Sequence, residues 1–466
     1  MESNNLDSRC AITRNPATGD VIARHRFLAP DEVQRSLDRN ATAFREWRAT
    51  PMEERVAAYH RLSAVLRGRT DALATLITAE MGKTIAAARA EIEKCAATLD
   101  WIAHNGPSIL ADEPVPIDGR NTAHVSYLPL GAILGVMPWN FPFWQVIRAA
   151  APIMLSGNAF VLKHAPNVLG SAAALVEVYE AAGFPKGLFI SLNVDNEMAA
   201  RLIEGPHIAA VTLTGSKRAG SAVAAIAGKA LKKSLLELGG SDPFIVLADA
   251  DIDRAVAAGI EARFQNAGQV CLAAKRFILE KPIAQAFTTK FVAAARQLSV
   301  GDPMNPATAM GPMARSDLRE ELHRQVLRSV AAGARVLLGG NVVEGPGNYY
   351  EPTVLAEVGP GMAAFEEETF GPVASLTVAE DLDHAIRLAN ASEYGLSANL
   401  WTRDTAVARQ AARRLDSGGL FINSFSASNV RIPVGGVKSS GYGRELSHFG
   451  LREFTNKQAV WLKDLV

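Results

Sequence analysis

After a polar start, apolar positions along the chain fall at helical spacing. One stretch begins at Pro30-Asp31 and places Val33, Leu37, Ala41 and Phe44 three or four residues apart. Pro51 opens a second, carrying Val56, Tyr59, Leu62 and Leu66. The pattern continues through 71–81 and 84–103, so residues 30–110 are predicted to be helical. From about 112 to 130 the periodicity stops. Pro114, Pro116, Val125 and Tyr127 give an extended, β-like text that reads as an arm.

Beyond Gly131, short apolar runs alternate with helical stretches. Strands are expected at 132–137, 159–163, 188–193, 209–213 and 234–238, with helices at 143–155, 168–182 and 217–227. Continuous apolar runs of this length, each followed by a helix, imply a parallel sheet covered on both faces. A second series follows, with strands at 244–247, 276–280, 336–338, 373–378, 397–401 and 419–422. Its helices fall at 253–264, 283–298, 382–389 and 405–415. Two α/β lobes in series are the expected architecture.

Composition narrows the function classes. The chain has 466 residues, 48% of them hydrophobic, which suits a large globular protein with more than one core. Lys plus Arg and Asp plus Glu stand at 48 each. That balance argues against nucleic acid or a membrane surface as partner, because both call for a basic field. The three cysteines, Cys10, Cys95 and Cys271, form no CxxC pair, so neither a disulfide framework nor a structural zinc site is expected. The first residues, Met1-Glu2-Ser3-Asn4-Asn5, lack an apolar signal core, and the cytoplasm is the expected compartment.

Four short segments carry candidate chemistry. Cys271 ends Asn266-Ala-Gly-Gln-Val-Cys271, after a glycine-containing turn. A lone cysteine is more often a buried, inert side chain, but a soft nucleophile is what covalent attack on an aldehyde requires. Glu237 ends an apolar strand and precedes Gly239-Gly240. Burial there would raise its proton affinity into the range of a general base, and a satisfied strand-end carboxylate is the alternative. Asn140, in Pro138-Trp-Asn-Phe-Pro142, reads as an oxyanion donor alongside the Cys271 N–H, or as a turn asparagine between prolines. Thr214-Gly-Ser-Lys-Arg-Ala-Gly220 places Gly215 and Gly220 between a strand and a helix. There a helix N-terminus can receive a diphosphate, although an ordinary βα turn has the same appearance. His164, His207 and His448 are scattered without ligand spacing and read as structural, and no metal is expected.

Taken together, and in order, these segments resemble the aldehyde dehydrogenase superfamily from about residue 14 to the end. The matching text is Pro138-Trp-Asn-Phe-Pro142, Leu213-Thr-Gly-Ser216, Glu237-Leu-Gly-Gly240, Gly268-Gln-Val-Cys271, Glu367-Glu-Thr-Phe-Gly-Pro372 and Pro433-Val-Gly-Gly-Val-Lys438. The resemblance implies Cys271 as nucleophile, Glu237 as the base for a deacylating water and Asn140 as oxyanion donor. It implies NAD⁺ or NADP⁺ as cofactor, with Lys163 on the adenosine ribose, Ser216 near the pyrophosphate and Glu368 on the nicotinamide ribose. Phe370 and Trp139 would flank the nicotinamide, with Thr214, Gly215, Gly220 and Leu238 completing the cleft. Pro166 stands where strictly NAD-dependent relatives often carry a glutamate, so use of both cofactors is expected.

Within the family the chain resembles bacterial succinate-semialdehyde dehydrogenases of the Sad type. Leu162-Lys-His-Ala-Pro166, Leu236-Glu-Leu-Gly-Gly-Ser-Asp-Pro-Phe244 and Gly443-Arg-Glu-Leu-Ser-His-Phe-Gly450 carry that likeness. It implies a small aldehyde with a distal carboxylate, held by Arg148 and Ser428, a surface or interhelix ion pair being the alternative for Arg148. A second arginine of such enzymes is Gln265 here, and Arg431 is the expected replacement, a solvated loop arginine being the alternative. Glutarate semialdehyde or a broad set of aldehydes is the alternative substrate. A CoA-acylating relative is disfavoured because Glu237 is present, and a non-catalytic relative because Glu237 and Cys271 both are. The resemblance further implies the aldehyde dehydrogenase fold. Its Rossmann-like cofactor-binding domain would span 1–110 and 130–238, its catalytic domain 239–440, and a small β bridging element 111–129 and 441–466. Val460, Trp461 and Leu462 suit strand addition to a neighbouring subunit, so a homodimer or homotetramer is expected.

Overall fold

The computed structural model describes residues 10–117 and 122–463. The helical stretch forms four helices, Pro30–Ala49, Met52–Gly68, Thr70–Met81 and Ile85–Leu110. The last runs past residue 103 and holds Pro107 within it. In the first helix the buried stripe is Val33, Leu37, Asn40, Ala43 and Trp47, while Ala41 and Phe44 are only partly covered. A polar residue joins that stripe because the Asn40 amide donates to the Gly187 and Leu188 carbonyls at 2.7 and 3.0 Å.

The first α/β series builds a six-stranded sheet. Its spatial order is Gly441–Tyr442, Lys233–Glu237, Ile208–Thr214, Ala132–Met137, Ala159–His164, Phe189–Ser191. All neighbours are parallel except Gly441–Tyr442, which runs antiparallel to Lys233–Glu237. The strand that comes first in sequence, Ala132–Met137, lies in the middle, and the order reverses between it and Ile208–Thr214. In open α/β sheets the ligand crevice opens at the carboxyl ends of the two strands at such a reversal. The second series builds a seven-stranded sheet in the order Arg335–Leu338, Thr353–Ala356, Val373–Ala379, Ala274–Glu280, Asp242–Val246, Ser397–Trp401, Gly419–Ile422. Only Arg335–Leu338 is antiparallel to its neighbour.

Some elements escaped the pattern. Helix Ser316–Ala331 buries Leu322, Gln325, Val326 and Ser329, a half-polar stripe that hides its period. Helix Asn196–Glu204 is short and held at its start by the Asp195 carboxylate, which accepts from the Met198 N–H at 2.8 Å. Gly441–Tyr442 belongs to the edge of the first sheet, not to a bridging element. Within 441–463 it is the strand Thr455–Leu462 that joins the arm, pairing with Thr122–Pro129, which also pairs with Glu113–Val115.

Each lobe has its own core. The first sheet packs against the N-terminal helices in one large cluster. The second sheet carries a cluster on either face, one of them rich in aromatic rings, with Phe277 and Phe291 centroids 4.8 Å apart. No helix among the described residues is long and apolar enough to cross a membrane.

Asn158, fully buried, ties three parts of the first lobe together. Its carbonyl oxygen accepts from the Leu130 and Gly131 N–H groups, and its amide donates to the Ile153 and Phe454 carbonyls. Asn158→Ala leaves buried backbone groups without partners and is expected to cost about 2–4 kcal/mol. A urea midpoint unchanged from the parent would contradict this account of how the arm is anchored.

Candidate active site

The two sheets are joined by the connector 238–241, so strand Lys233–Glu237 ends where Asp242–Val246 begins. Hydrogen bonds hold this crossing throughout. The Leu238 N–H donates to the Ser440 carbonyl at 3.0 Å, and the Ser440 hydroxyl donates to the Gly239 carbonyl at 2.7 Å. The Gly240 N–H donates to the Glu368 carboxylate at 3.1 Å, and Arg276 donates to the Ser241 carbonyl at 2.9 Å. A cavity of about 430 Å³ lies against this crossing, at the strand reversal. Pro138, Trp139, Asn140, Thr214, Gly215, Ser216, Leu238, Cys271, Glu368 and Phe370 are on its wall.

Cys271 follows a loop of unusual backbone. Asn266, Ala267 and Gly268 have successive positive φ values of 52, 53 and 72°. For the two non-glycine residues this is a costly conformation, which must be over-determined by its surroundings. Arg263 supplies part of that, donating to the Gly268 and Gly371 carbonyls at 2.7 and 2.5 Å. A Cβ on Gly268 would stand 2.3 Å from the Gly371 oxygen, so only glycine fits there. Asn266 donates its amide to the Asn140 carbonyl at 2.9 Å, and the Asn140 side-chain N–H donates to the Gln269 carbonyl at 2.9 Å. The two loops are thus stitched face to face, with Cys271 two residues beyond the stitch. The Lys275 ammonium donates to the Cys271 carbonyl at 2.7 Å and pairs with Glu368 at 3.3 Å. Burial pushes the Cys271 thiol up to about 11. Arg148 and Lys275 oppose this, and Glu237 and Glu368 add to it.

Glu237 is buried, and its Oε1 has no hydrogen-bond partner among the described residues. A Cβ on Gly435 would lie 2.9 Å from that oxygen, so the carboxyl occupies space that only a glycine leaves. Burial raises its pKa to about 8; Glu445 adds to the rise, while Arg148 and Arg444 resist it. Glu237 does not line the cavity but lies close enough to Cys271 to act on its thiol.

Arg148 is buried and ion-paired through Nε with the buried Glu445 carboxylate, and its Nη2 donates to the Thr214 hydroxyl at 3.4 Å. The ion pair that was the alternative reading of Arg148 is thus present in the structure, alongside its proposed role toward a substrate carboxylate. Arg431 lies exposed in its loop, its backbone N–H bonded to Asn429. Ser428 accepts a hydrogen bond at 2.7 Å from Lys94, a residue the sequence reading passed over. Glu445 and Lys275 were also missed. Adjacent cations within the apolar strand Ala274–Glu280 were the available signal for Lys275, because a lysine in such a strand has to find carbonyls or a carboxylate.

The remaining wall suits a dinucleotide. Helix Lys217–Lys229 starts at the cavity, with Ser216 as its capping residue and its first turn exposed, so N–H groups face open space. Gly220 lets this helix approach Leu238, where a Cβ would meet the leucine at 2.5 Å. Trp139 and Phe370 meet edge to face, centroids 5.8 Å apart, and form an apolar slot for a ring. Glu368 is drawn in so that a Cβ on Gly239 would touch its carboxylate at 2.2 Å. Lys163 ends the neighbouring strand Ala159–His164, half-buried, its pKa lowered by burial. His164 accepts from the Ala165 N–H at 2.9 Å and sits 3.0 Å from the Pro142 carbonyl. Burial brings it to about 4, so it is a neutral prop under the 138–142 loop. The slot, the helix start and the carboxylate together fit a nicotinamide dinucleotide.

Comparison with known proteins agrees with this geometry. The sequence matches the aldehyde dehydrogenase family over residues 3–460. It is 54% identical to the succinate semialdehyde dehydrogenase (NAD(P)+) Sad of Escherichia coli strain K12, over 97% of each chain. It is 45% identical to the succinate-semialdehyde dehydrogenase (NADP(+)) 1 of Mycobacterium tuberculosis strain H37Rv, over 97% of this chain and 99% of that one. The crystal structure of the Streptococcus pyogenes succinic semialdehyde dehydrogenase in complex with NADP+ superposes with a TM-score of 0.95. It is 33% identical, over 97% of this chain and 100% of that one. A lactaldehyde dehydrogenase structure gives 0.94 at 34% identity, over 98% and 96%. The strand reversal, the stitched cysteine loop and the match along nearly the whole sequence have one reading: the chain belongs to the aldehyde dehydrogenase family and acts on small aldehydes.

Proposed function

We propose that the protein oxidises succinate semialdehyde, or a closely similar aldehyde with a distal carboxylate, to the acid, using NAD⁺ or NADP⁺. The observation that carries this reading is the stitch between Asn140 and Gln269, which holds an amide donor beside the nucleophilic cysteine on the wall of a dinucleotide-sized cavity. The distal carboxylate is supported by the likeness to two succinate-semialdehyde dehydrogenases and by the ammonium that reaches Ser428.

In this reading the Cys271 thiol gives up its proton to water in the cavity, and the thiolate adds to the aldehyde carbon. The Asn140 amide and the Cys271 N–H hold the oxyanion that forms. When bound, the oxidised nicotinamide supplies the hydride acceptor; Ser216, Lys163, Glu368, Trp139 and Phe370 are the residues that would hold it. The thioester left on Cys271 is opened by a water from which Glu237 takes a proton, and Arg148 and Lys275 temper the negative charge gathered there. Pro166 is exposed and places no carboxylate after Lys163, which leaves room for a 2′-phosphate. We also propose a cytoplasmic homodimer or homotetramer. The edge strand Thr455–Leu462 presents Trp461, 69% exposed, to a neighbour.

The test is steady-state oxidation of succinate semialdehyde, glutarate semialdehyde and butanal with each dinucleotide, with Cys271→Ala as blank. Succinate semialdehyde is expected to lead by about tenfold or more in kcat/KM. Equal rates with butanal would remove the named substrate, and no turnover with NADP⁺ would remove dual cofactor use.

Glu237 generates a pH prediction. Its pKa is raised to about 8, so it is neutral below that pH and able to accept a proton above it. Thioester hydrolysis is expected to climb with pH and level off above about 8. Glu237→Gln should slow turnover by about 100-fold or more while a single-turnover burst of reduced dinucleotide persists. A Glu237→Gln variant with a parental pH profile would exclude Glu237 as the base. Light scattering should return the mass of two or four chains, and a monomer would exclude the strand-addition reading.

A further inference from the structure

The buried cations of this protein are nearly all accounted for. Lys83 is paired with Glu91, Arg148 with Glu445, and Lys275 with Glu368 and two carbonyls. Arg263 and Arg276 each donate to several backbone carbonyls. Lys94 is different. It projects, half-buried, from helix Ile85–Leu110, and among the described residues its one hydrogen bond is the donation to the Ser428 hydroxyl at 2.7 Å. Its ammonium stands 4.2 Å from the ring centroid of Trp144. No carboxylate pairs with it among the described residues. Glu91, one turn earlier, is committed to Lys83 and to the Phe143 and Trp144 N–H groups at 2.9 Å, and Glu93 is committed to Arg67. An ammonium has three donors and a full charge, so a covered one with a single neutral acceptor is under-compensated.

Its surroundings connect it to the reacting end of the site. Trp144 begins the helix that follows Asn140, and Arg148 lies one turn further along that helix. The Arg148 charge acts both on Lys94 and on Cys271, which places the ammonium and the nucleophile within the electrostatic reach of one guanidinium. Ser428 lies two residues after Ser426, whose hydroxyl donates to Asn399 at 3.0 Å and meets the Ser397 hydroxyl at 2.5 Å. Ser397 in turn bonds Asp242, at the end of the connector that packs on the Cys271 backbone. The Ser428 loop is thus anchored to the elements that position the cysteine.

We propose that Lys94 and Ser428 form the subsite for the distal carboxylate of the substrate, the ammonium supplying the cation that the loop arginine Arg431 was expected to supply. This rests on the reading of the substrate given above. A carboxylate arriving at Ser428 would receive both the hydroxyl and the ammonium, and the Trp144 ring would cover its apolar stem. Burial, and then Arg148, bring Lys94 down to about 8, so it remains mostly protonated at neutral pH. An arriving anion relieves both effects.

The experiment compares kcat/KM for succinate semialdehyde and for butanal, its uncharged four-carbon counterpart, in the parent, Lys94→Met and Ser428→Ala. It also measures inhibition of butanal oxidation by succinate. The succinate-semialdehyde-to-butanal ratio is expected to fall about 30-fold in Lys94→Met and about fivefold in Ser428→Ala, with succinate inhibition weakened to match. The parental ratio separates the two readings. A parent without preference for the carboxylate overturns the substrate reading and this one with it. A parent with preference whose ratio survives Lys94→Met within twofold overturns the lysine assignment alone. If Lys94→Met does not fold, Lys94→Gln is read in the same way.

Discussion

Charge held out of water where two sheets meet end to end is the constraint on which the rest of this site depends. Glu237, Glu445, Arg148 and Lys275 are buried together at that meeting point, with Cys271 half-buried and Glu368 largely covered beside them. Two carboxylates, Glu237 and Glu445, are opposed there by Arg148, with Arg444 also acting on Glu237. Arg148 is committed to Glu445, and Glu237 keeps a carboxyl oxygen with no hydrogen-bond partner among the described residues. An orphaned buried carboxyl shifts to its neutral form rather than remain an ion. The raised proton affinity of Glu237 is therefore a product of the packing around Gly435 and of the Arg148–Glu445 pair, rather than of any single contact.

That concentration of charge is tolerable only if the backbone around it cannot relax. The loop 266–268 is held in three successive left-handed conformations by Arg263 beneath it and by Asn140 across it. The opposite loop is seated in the same manner. Glu91 accepts the first N–H groups of helix Trp144–Leu155, and Lys83, paired with Glu91, stands 3.6 Å from the Phe141 ring centroid. Each wall of the site is thus fixed by a buried ion or amide behind it. The Asn140 amide, in the donor role proposed for it, is held in place before any substrate arrives, which is the condition under which such a donor accelerates a reaction.

The fold was largely legible because parallel strands buried on both faces write themselves as apolar runs, as at Ala132–Met137 and Ser397–Trp401. Elements whose inward stripe is partly polar were not. Ser316–Ala331 buries Gln325 and Ser329, and its period is lost in a charged text. The same division holds in the site. Residues embedded in short motifs, such as Cys271, Glu237 and Asn140, stand out locally, and the structure gathers them at one crossing. Glu445, Lys275 and Lys94 act through partners far along the chain, and spacing carries no trace of those pairings. The partner of Arg148 could not be named from spacing because Glu445 lies at the other end of the sequence, and Lys94 sits on the flank of a helical stripe between the buried Glu91 and Cys95.

Unpaired charge then says something about what the site expects. Two lysines in the first lobe are largely covered yet lack a carboxylate hydrogen bond among the described residues, Lys163 at a strand end and Lys94 beside Ser428. Both have lowered proton affinity, burial being the first cause in each. A protein that compensates Lys83, Lys275, Arg148, Arg263 and Arg276 so fully would gain stability by compensating these as well, had their partners been part of the chain. In the assignment proposed above, ligand charge is the missing partner, the dinucleotide at one end and the carboxylate at the other. An aldehyde so held would be drawn toward the cysteine between them by electrostatics that an uncharged aldehyde of the same length does not feel.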